Sequence, residues 1–382
     1  MAYRRLGDYI KEVNVRNNDL EITNPMGINI DKYFMPSVAN VIGTDLSTYK
    51  LVNKNQFACN LMHVGRDERI PMALHIDDAP IIVSPAYFVF EIIQNDILLP
   101  EYLMIWFRRP EFDRNAWFYT DADVRGGLSK EAFLDMSLPI PSIEEQRKIV
   151  AEFQAVEQRI ENNNRLIKAL EDTAQTIYHH TFVENIDPEN LPEGWKRETV
   201  EKYFGNISIG KTPPRENVEC FRTDGKGIKW VSIADMKESA PYVLSTNENL
   251  TKDAVSQYNI KVVPTNTILL SFKMTVGRVA ITSESMCTNE AIAHFVCKDE
   301  IQLTYTYCFL KNFDYKKLGS TSSITDAINS KIVKTIKIVI PTDDVLTQFS
   351  QEVSSLLQHE YLLNKENKNL DKLKNLLLSK LS

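Results

Sequence analysis

GGLSKEAFLDMSLPIP occupies residues 126–141, and DAINSKIVKTIKIVIP occupies 326–341, the same place 200 residues further along. The two align without a gap. Leu128 falls on Ile328, Phe133 on Val333, Met136 on Ile336, Leu138 on Ile338, Ile140 on Ile340 and Pro141 on Pro341. A long helical pattern follows each proline. The first opens with Ser142 and Glu145, an S-x-x-E capping box. Ile149, Phe153, Val156, Ile160, Asn163, Ile167, Leu170, Ala174 and Ile177 then follow steps of four and three, and eight of these nine are apolar. The second is capped by Thr342, with Asp343 and Asp344 in its first turn. It continues through Phe349, Val353, Leu356, Glu360, Leu363, Asn367, Leu370, Lys374 and Leu377, in the same frame shifted by 200. Acids gather early and Lys365, Lys368, Lys372, Lys374 and Lys380 late, as a helix dipole favours. Such sustained 3–4 spacing predicts coiled-coil helices that pair with each other. Asn163 and Asn367 interrupt both seams; a buried Asn fixes register, and a partly solvated seam accommodates one equally well.

Working outward, the chain reads as domain, long helix, domain, long helix, with boundaries at 1–141, 142–182, 183–341 and 342–382. The fold class is mixed α/β of the α+β kind. APIIVSPAYFVFEII (79–93) is β-like and PEYLMIWFRR (100–109) helical in the first half. GIKWVSIADM (227–236), NTILLSFKMTVGRVAIT (266–282) and IAHFVCK (292–298) are β-like in the second, with LTYTYCFLKNF (303–313) in the place of the earlier helix. ENIDPENLPEGW (184–195), rich in Pro and acids, reads as a linker. Two copies of one unit joined head to tail close most simply about a pseudo-twofold axis, which makes the helices antiparallel. A 39-residue helix over 142–180 would then be about 58 Å long and would set the separation of the domains.

The length of 382 residues exceeds one ordinary domain, and 43% apolar with 25% charged residues is a soluble-globular balance. No apolar run approaches the ~20 residues of a membrane span, and MAYRRLGDYI has no signal-peptide apolar region. Five cysteines with no CxxC pair argue against disulfides or a thiolate zinc site, so a cytoplasmic protein with reduced thiols is expected. Net charge is −7. Residues 1–141 hold 14 bases and 19 acids, and residues 183–341 hold 20 and 19, so any nucleic acid must be met by local clusters.

Gly205-Asn206-Ile207-Ser208-Ile209-Gly210-Lys211-Thr212 satisfies the phosphate-binding pattern G-x-x-x-x-G-K-[ST]. Its context refutes it. RETVEKYF before it is no buried strand, and Pro213 and Pro214 break any helix running on from Lys211. Asn24-Pro25-Met26-Gly27 lacks the second proline and aromatic of an adenine-methyltransferase motif. His63, His75, His294 and His359 have no ligand-spaced companions, and His179 and His180 merely end a helix. No catalytic or metal constellation emerges. The remaining candidates are basic and polar residues in turn-like contexts, suited to phosphates and base edges. They are Lys54, Arg66 and Arg69 in the first half, and Lys211, Thr212, Arg215, Lys273 and Arg278 in the second. Lys273 and Arg278 flank Thr275-Val276-Gly277, so one hairpin can present both.

Over nearly its whole length the chain resembles the specificity (S) subunits of type I restriction–modification systems. LPIPSIEEQRKIVAEF (138–153) is similar to the family's central conserved region. GKTPPR (210–215), WVSIADM (230–236), LLSFKMTVGRVAI (269–281) and TNEAIA (288–293) resemble one type of target-recognition domain. MPSVANVIGTDLSTY (35–49), VGRDERIPMAL (64–74) and VSPAYFVFE (83–91) resemble another. One departure is that the second long helix opens with PTDDVLTQF, not P-x-x-x-EQ. The resemblance implies a non-enzymatic reader of double-stranded DNA, with two recognition domains held apart by two antiparallel helices. Those helices would dock two methyltransferase (M) subunits, and through them restriction (R) subunits. S-adenosylmethionine, ATP and Mg would sit on these partners, with no cofactor and no metal in this chain. The competing expectation is a coiled-coil scaffold whose domains bind proteins.

Overall fold

The computed structural model describes residues 3–38, 43–62, 64–120, 126–184, 186–236, 241–318 and 329–381. His63, Ile328 and part of the 35–49 motif lie outside the described residues. The chain divides into two compact units, one of residues 1–158 with 370–382, the other of residues 159–369. Both long helices contribute to both units.

In the first unit, Ile10–Glu12, Phe88–Ile92, Gln56–Cys59 and Met72–Leu74 form an antiparallel sheet in that order. A second sheet runs Phe34–Pro36, Pro25–Ile28, Ile81–Val83, Lys50–Val52. Alternation along Val52, Ala58, Val83 and Val89 supplies a small apolar cluster shared by the two sheets. The other face of Phe57, Phe90 and Phe88 packs on helix Pro100–Phe107 and on Phe133. The 79–93 run thus becomes two strands, Ile81–Val83 and Phe88–Ile92, broken at Ser84-Pro85.

The second unit repeats the plan. Ser208–Ile209, Ile292–Val296, Thr267–Ser271, Val279–Thr282 and Tyr242–Val243 form one sheet in that order. Phe221–Arg222, Glu248–Leu250, Ile228–Val231 and Cys287–Thr288 form the other. The helical candidate at 303–313 is helix Glu300–Asn312.

The repeat of 200 holds for the caps and the closing strands, and the partners of those strands recur at offsets of 194 and 203. Ser129 caps helix Lys130–Asp135 through the Ala132 N–H, and Asn329 caps helix Ser330–Lys334 through the N–H groups of Lys331 and Ile332. Tyr3–Arg5 pairs antiparallel with Ser137–Pro139, as Lys196–Thr199 does with Lys337–Ile340. The Leu6 N–H donates to the Met136 carbonyl, and Val200 to Ile336. Tyr102 donates its hydroxyl hydrogen to the Pro139 carbonyl, and Tyr305 to that of Val339. Phe133, Met136, Leu138, Val333, Ile336 and Ile338 are all buried, as the alignment requires.

The long helices are Ile143–Phe182, of 40 residues, and Asp343–Ser379, of 37. Ser142 Oγ accepts from the Glu145 N–H at 3.3 Å, half of the expected capping box. Of the seam residues, Phe153, Val156, Ile167, Phe349, Val353 and Leu363 are buried. Ile149, Ile160, Leu170, Ile177, Leu356, Leu370 and Leu377 are half-buried, and no seam position points fully to solvent. Within the second unit the helices run antiparallel, since Asn163 meets Asn367 while Tyr178 meets Phe349. Within the first unit Val150 and Phe153 join Leu378 and Leu381 in one core. Where the second helix lacks the EQ pair, the structure supplies a reason. Gln146 is buried and bridges the Ile97 and Pro141 carbonyls and the Leu99 N–H, whereas its counterpart Leu346 fills the same place with apolar packing.

Candidate nucleic-acid interface

Gly210 opens the Gly210–Arg215 segment of the second unit. A side chain there would lie 2.0 Å from the Thr288 hydroxyl and 2.2 Å from the Asn289 carbonyl, so this backbone approach needs glycine. The Gly210 N–H donates to the Ile292 carbonyl at 3.1 Å and the Lys211 N–H to that of Thr288 at 2.9 Å. Amides that a phosphate loop would aim at its ligand are spent on protein carbonyls. The GKT match therefore forms a loop clamp.

The clamp fixes the side chains that follow. Thr212 donates its hydroxyl hydrogen to Glu290, a residue the sequence did not single out. Lys211 Nζ donates to the Tyr258 carbonyl at 2.6 Å. Arg215 grips Glu248 with one nitrogen (2.9 and 2.8 Å) and lies 4.3 Å from the Phe221 ring and 4.8 Å from that of Trp230. Glu290 stays below the usual carboxylate range: against the effect of burial, its bond from Thr212 and the charges of Lys273 and Arg215 favour the ionised form. The structure thus brings Thr212, Arg215, Lys273 and Glu290 onto one face. Lys273 and Arg278 part company. Lys273 points to solvent, while Arg278 turns back and donates to the Ile233 carbonyl at 2.9 Å, leaving Lys273 as the cation at that hairpin tip.

Behind this face His294 is fully buried, 3.0 Å from Ser208 Oγ and 2.7 Å from Thr288 Oγ1. Burial, with the Lys261 charge second, pushes its pKa down to about 4, so the ring is neutral. Ser–His–Thr here fastens a strand to the Thr288 loop.

In the first unit each candidate cation faces an acid: Lys54 with Asp78 at 2.7 Å, Arg66 with Asp67 at 2.7 Å, Arg69 with Asp31 at 3.7 Å. Arg66 and Arg69 lie close together, at and just after helix Val64–Asp67, and Lys54 lies on a turn elsewhere. Arg69 also lines a cavity of about 740 Å³ with Tyr33, Arg108, Asp113 and Arg114. Sequence reasoning missed Arg108, which grips Glu157 at 2.9 and 3.0 Å and stacks 4.6 Å from the Tyr33 ring. Among the described residues no three His, Cys, Asp or Glu are grouped to hold a metal, and no helix is long and apolar enough to cross a membrane.

Two similar α+β units, each with a basic and aromatic loop face and a share of two long helices, define a duplicated recognition protein. The family described as "Type I restriction modification DNA specificity domain" matches residues 32–172 and again 192–374, and the chain belongs to that family. It is 23% identical to the type I restriction enzyme HindI specificity subunit of Haemophilus influenzae, over 98% of this chain and 97% of that one. Identity is 22% to a putative type I restriction enzyme MjaX specificity subunit of Methanocaldococcus jannaschii, covering 90% and 81% of the two chains. The crystal structure of the type I system S subunit from M. genitalium shares the fold, with a TM-score of 0.60 at 15% identity, over 100% of this chain and 95% of that one.

Proposed function

We propose that this chain is the sequence-reading subunit of a type I restriction–modification assembly and carries out no chemistry itself. The observation that supports this best is the doubling: two specificity-domain matches fall on two units whose frameworks repeat while their loop faces differ. Different side chains at groove edges read different bases, so the target is bipartite and asymmetric. Lys54, Arg66 and Arg69 serve one half-site, and Lys211, Thr212, Arg215 and Lys273 the other, with Arg278 as support. The pairing of many of these cations with acids limits non-specific attraction and leaves discrimination to base edges. The outer faces of the long helices dock two methyltransferase subunits, and restriction subunits join through them. S-adenosylmethionine, ATP and Mg bind on those partners, and the assembly works in the cytoplasm.

The same acid pairing favours a second reading, a coiled-coil scaffold that binds proteins. Titrating duplex DNA at several salt concentrations separates the two. A DNA reader loses affinity linearly on a log–log plot as counterions are released, and a scaffold shows no such dependence. Labelled S-adenosylmethionine or ATP retained by the purified chain would contradict the placement of cofactors on partners.

A further inference from the structure

The hairpin joining Thr267–Ser271 to Val279–Thr282 ends in Lys273-Met274-Thr275-Val276, all four exposed. Met274 is 97% exposed and holds a left-handed backbone, φ +58°. That conformation strains a residue with a Cβ, and Asn or Gly would adopt it more easily. The strain is not relieved by mobility, because the base of the tip is clamped. The Ser271 N–H donates to the Arg278 carbonyl, Ser271 Oγ accepts from the Arg278 N–H at 3.0 Å, and the Gly277 N–H donates to the Ser271 carbonyl at 3.0 Å. Gly277, φ +90°, lies so close to the Tyr315 ring that a Cβ would sit 2.8 Å from it. A rigid support thus presents an unfavourable, unburied thioether. Strain of this kind points to a task at the tip.

The tip adjoins the face described above. Lys273 lies near enough to Glu290 to influence its charge, and its ammonium group lies 5.7 Å from the Phe272 ring. The tip holds one cation, one hydroxyl and two apolar side chains, without the forked donors and acceptors that read base edges by paired hydrogen bonds. Among groups that bases show in the grooves, the thymine 5-methyl is the one an apolar side chain recognises.

We propose that Met274 is a specificity-determining residue that packs against a thymine 5-methyl group in the major groove while Lys273 meets a neighbouring phosphate. This rests on the reading of the chain as a DNA binder.

The full-length chain is used to enrich bound duplexes from a random pool. The preferred site is then remade with uracil replacing each thymine in turn, which deletes one methyl group. At one position the wild-type chain is expected to lose about three- to tenfold in affinity, the scale of one buried methyl group. Met274→Ala is expected to bind both duplexes equally, with an unchanged salt slope because no charge is lost. Met274→Asn relieves the backbone strain, so it is expected to melt higher while losing the same thymine preference; a merely structural methionine would not separate the two. Uracil without effect at every thymine, in a wild-type chain that still selects its site, overturns the proposal. So does brightening of a neighbouring 2-aminopurine without a uracil effect, which would make Met274 a wedge between base pairs. A wild-type chain that binds no duplex at all refutes the underlying DNA reading instead.

Discussion

Position 360 shows what a single side chain costs in a seam. The 3–4 frame calls for an apolar residue there, and Glu360 occupies the slot fully buried, with neither carboxylate oxygen hydrogen-bonded among the described residues. Burial, then the nearby Glu171 carboxylate, push its pKa up to about 9, while Lys311 pulls less strongly the other way. Glu171 is itself held by the Tyr307 hydroxyl at 2.8 Å and by Lys311 at 3.7 Å, so Glu360 faces an already satisfied cluster. In the unfolded chain this carboxyl ionises at its ordinary value near 4.5, hence folding takes up a proton at neutral pH. The associated stability is complete below about pH 4.5 and drains away as pH rises toward 9. We predict that Glu360→Gln flattens this decline and gains on the order of 2 kcal/mol at pH 8. Urea unfolding from pH 5 to 9 measures it, and parallel curves for the two proteins would mean that Glu360 is ionised in the fold. His294 acts with opposite sign: its depressed pKa withdraws stability as pH falls from about 6.5 toward 4.

At the scale of elements, the paired helices carry one polar layer. Asn163 Nδ2 donates to Asn367 Oδ1 at 2.9 Å, Asn367 Nδ2 to Asn164 Oδ1 at 2.9 Å, and Arg159 grips Glu366 beside them. Both readings of these asparagines come together here, because the amides are buried and meet a solvated ion pair at the rim. We predict that Asn163→Leu costs about 1–2 kcal/mol by stranding the Asn367 side-chain oxygen, the acceptor of the Asn163 amide. Asn163→Leu with Asn367→Leu should recover that loss, and thermal melts of the four proteins of the cycle give the coupling. Additive losses would mean that the two amides do not depend on each other. These helices were legible in the sequence because a 3–4 period needs nothing beyond local spacing. The loop face was legible as a set of cations but not as an arrangement. Arg215 finds Glu248, Lys54 finds Asp78 and Thr212 finds Glu290 through tertiary folding, across 33, 24 and 78 residues that carry no periodic signal. That Arg278 leaves the hairpin away from Lys273 was illegible for a related reason: flanking a turn says nothing about which way a side chain leaves it.

For the whole molecule, the repeat of 200 residues separates framework from reader. Capping residues, closing strands and the tyrosine bonds to those strands recur in both units, whereas the loop segments between them differ. Exchanging residues 205–318 for the matching segment of another specificity domain, with Lys196–Phe204 and Ser330–Ile340 kept, should alter one half of the DNA target and leave the other unchanged. The modified-base pattern of a host carrying the hybrid reports this, and a change in both halves would defeat the modular reading. Charge should obey the same division: Lys273→Ala should lower the salt slope of DNA binding by about one while Lys54→Ala leaves the second half-site's selectivity intact.

The first unit is assembled from residues 1–158 and 370–382, and Leu378 and Leu381 complete its core. Translation is therefore expected to reverse the usual order in which domains mature. The unit begun first waits, its apolar surface at Val150 and Phe153 uncovered, until Leu378 and Leu381 have left the ribosome. The later-made unit, residues 159–369, is continuous and can finish before it. A chain stopped at residue 369 should keep slow hydrogen exchange in Thr267–Ser271 and Ile292–Val296, yet lose protection in Gln56–Cys59 and Phe88–Ile92, more than 270 residues upstream of the cut. Nascent chains stalled short of that point are the ones that should need a chaperone.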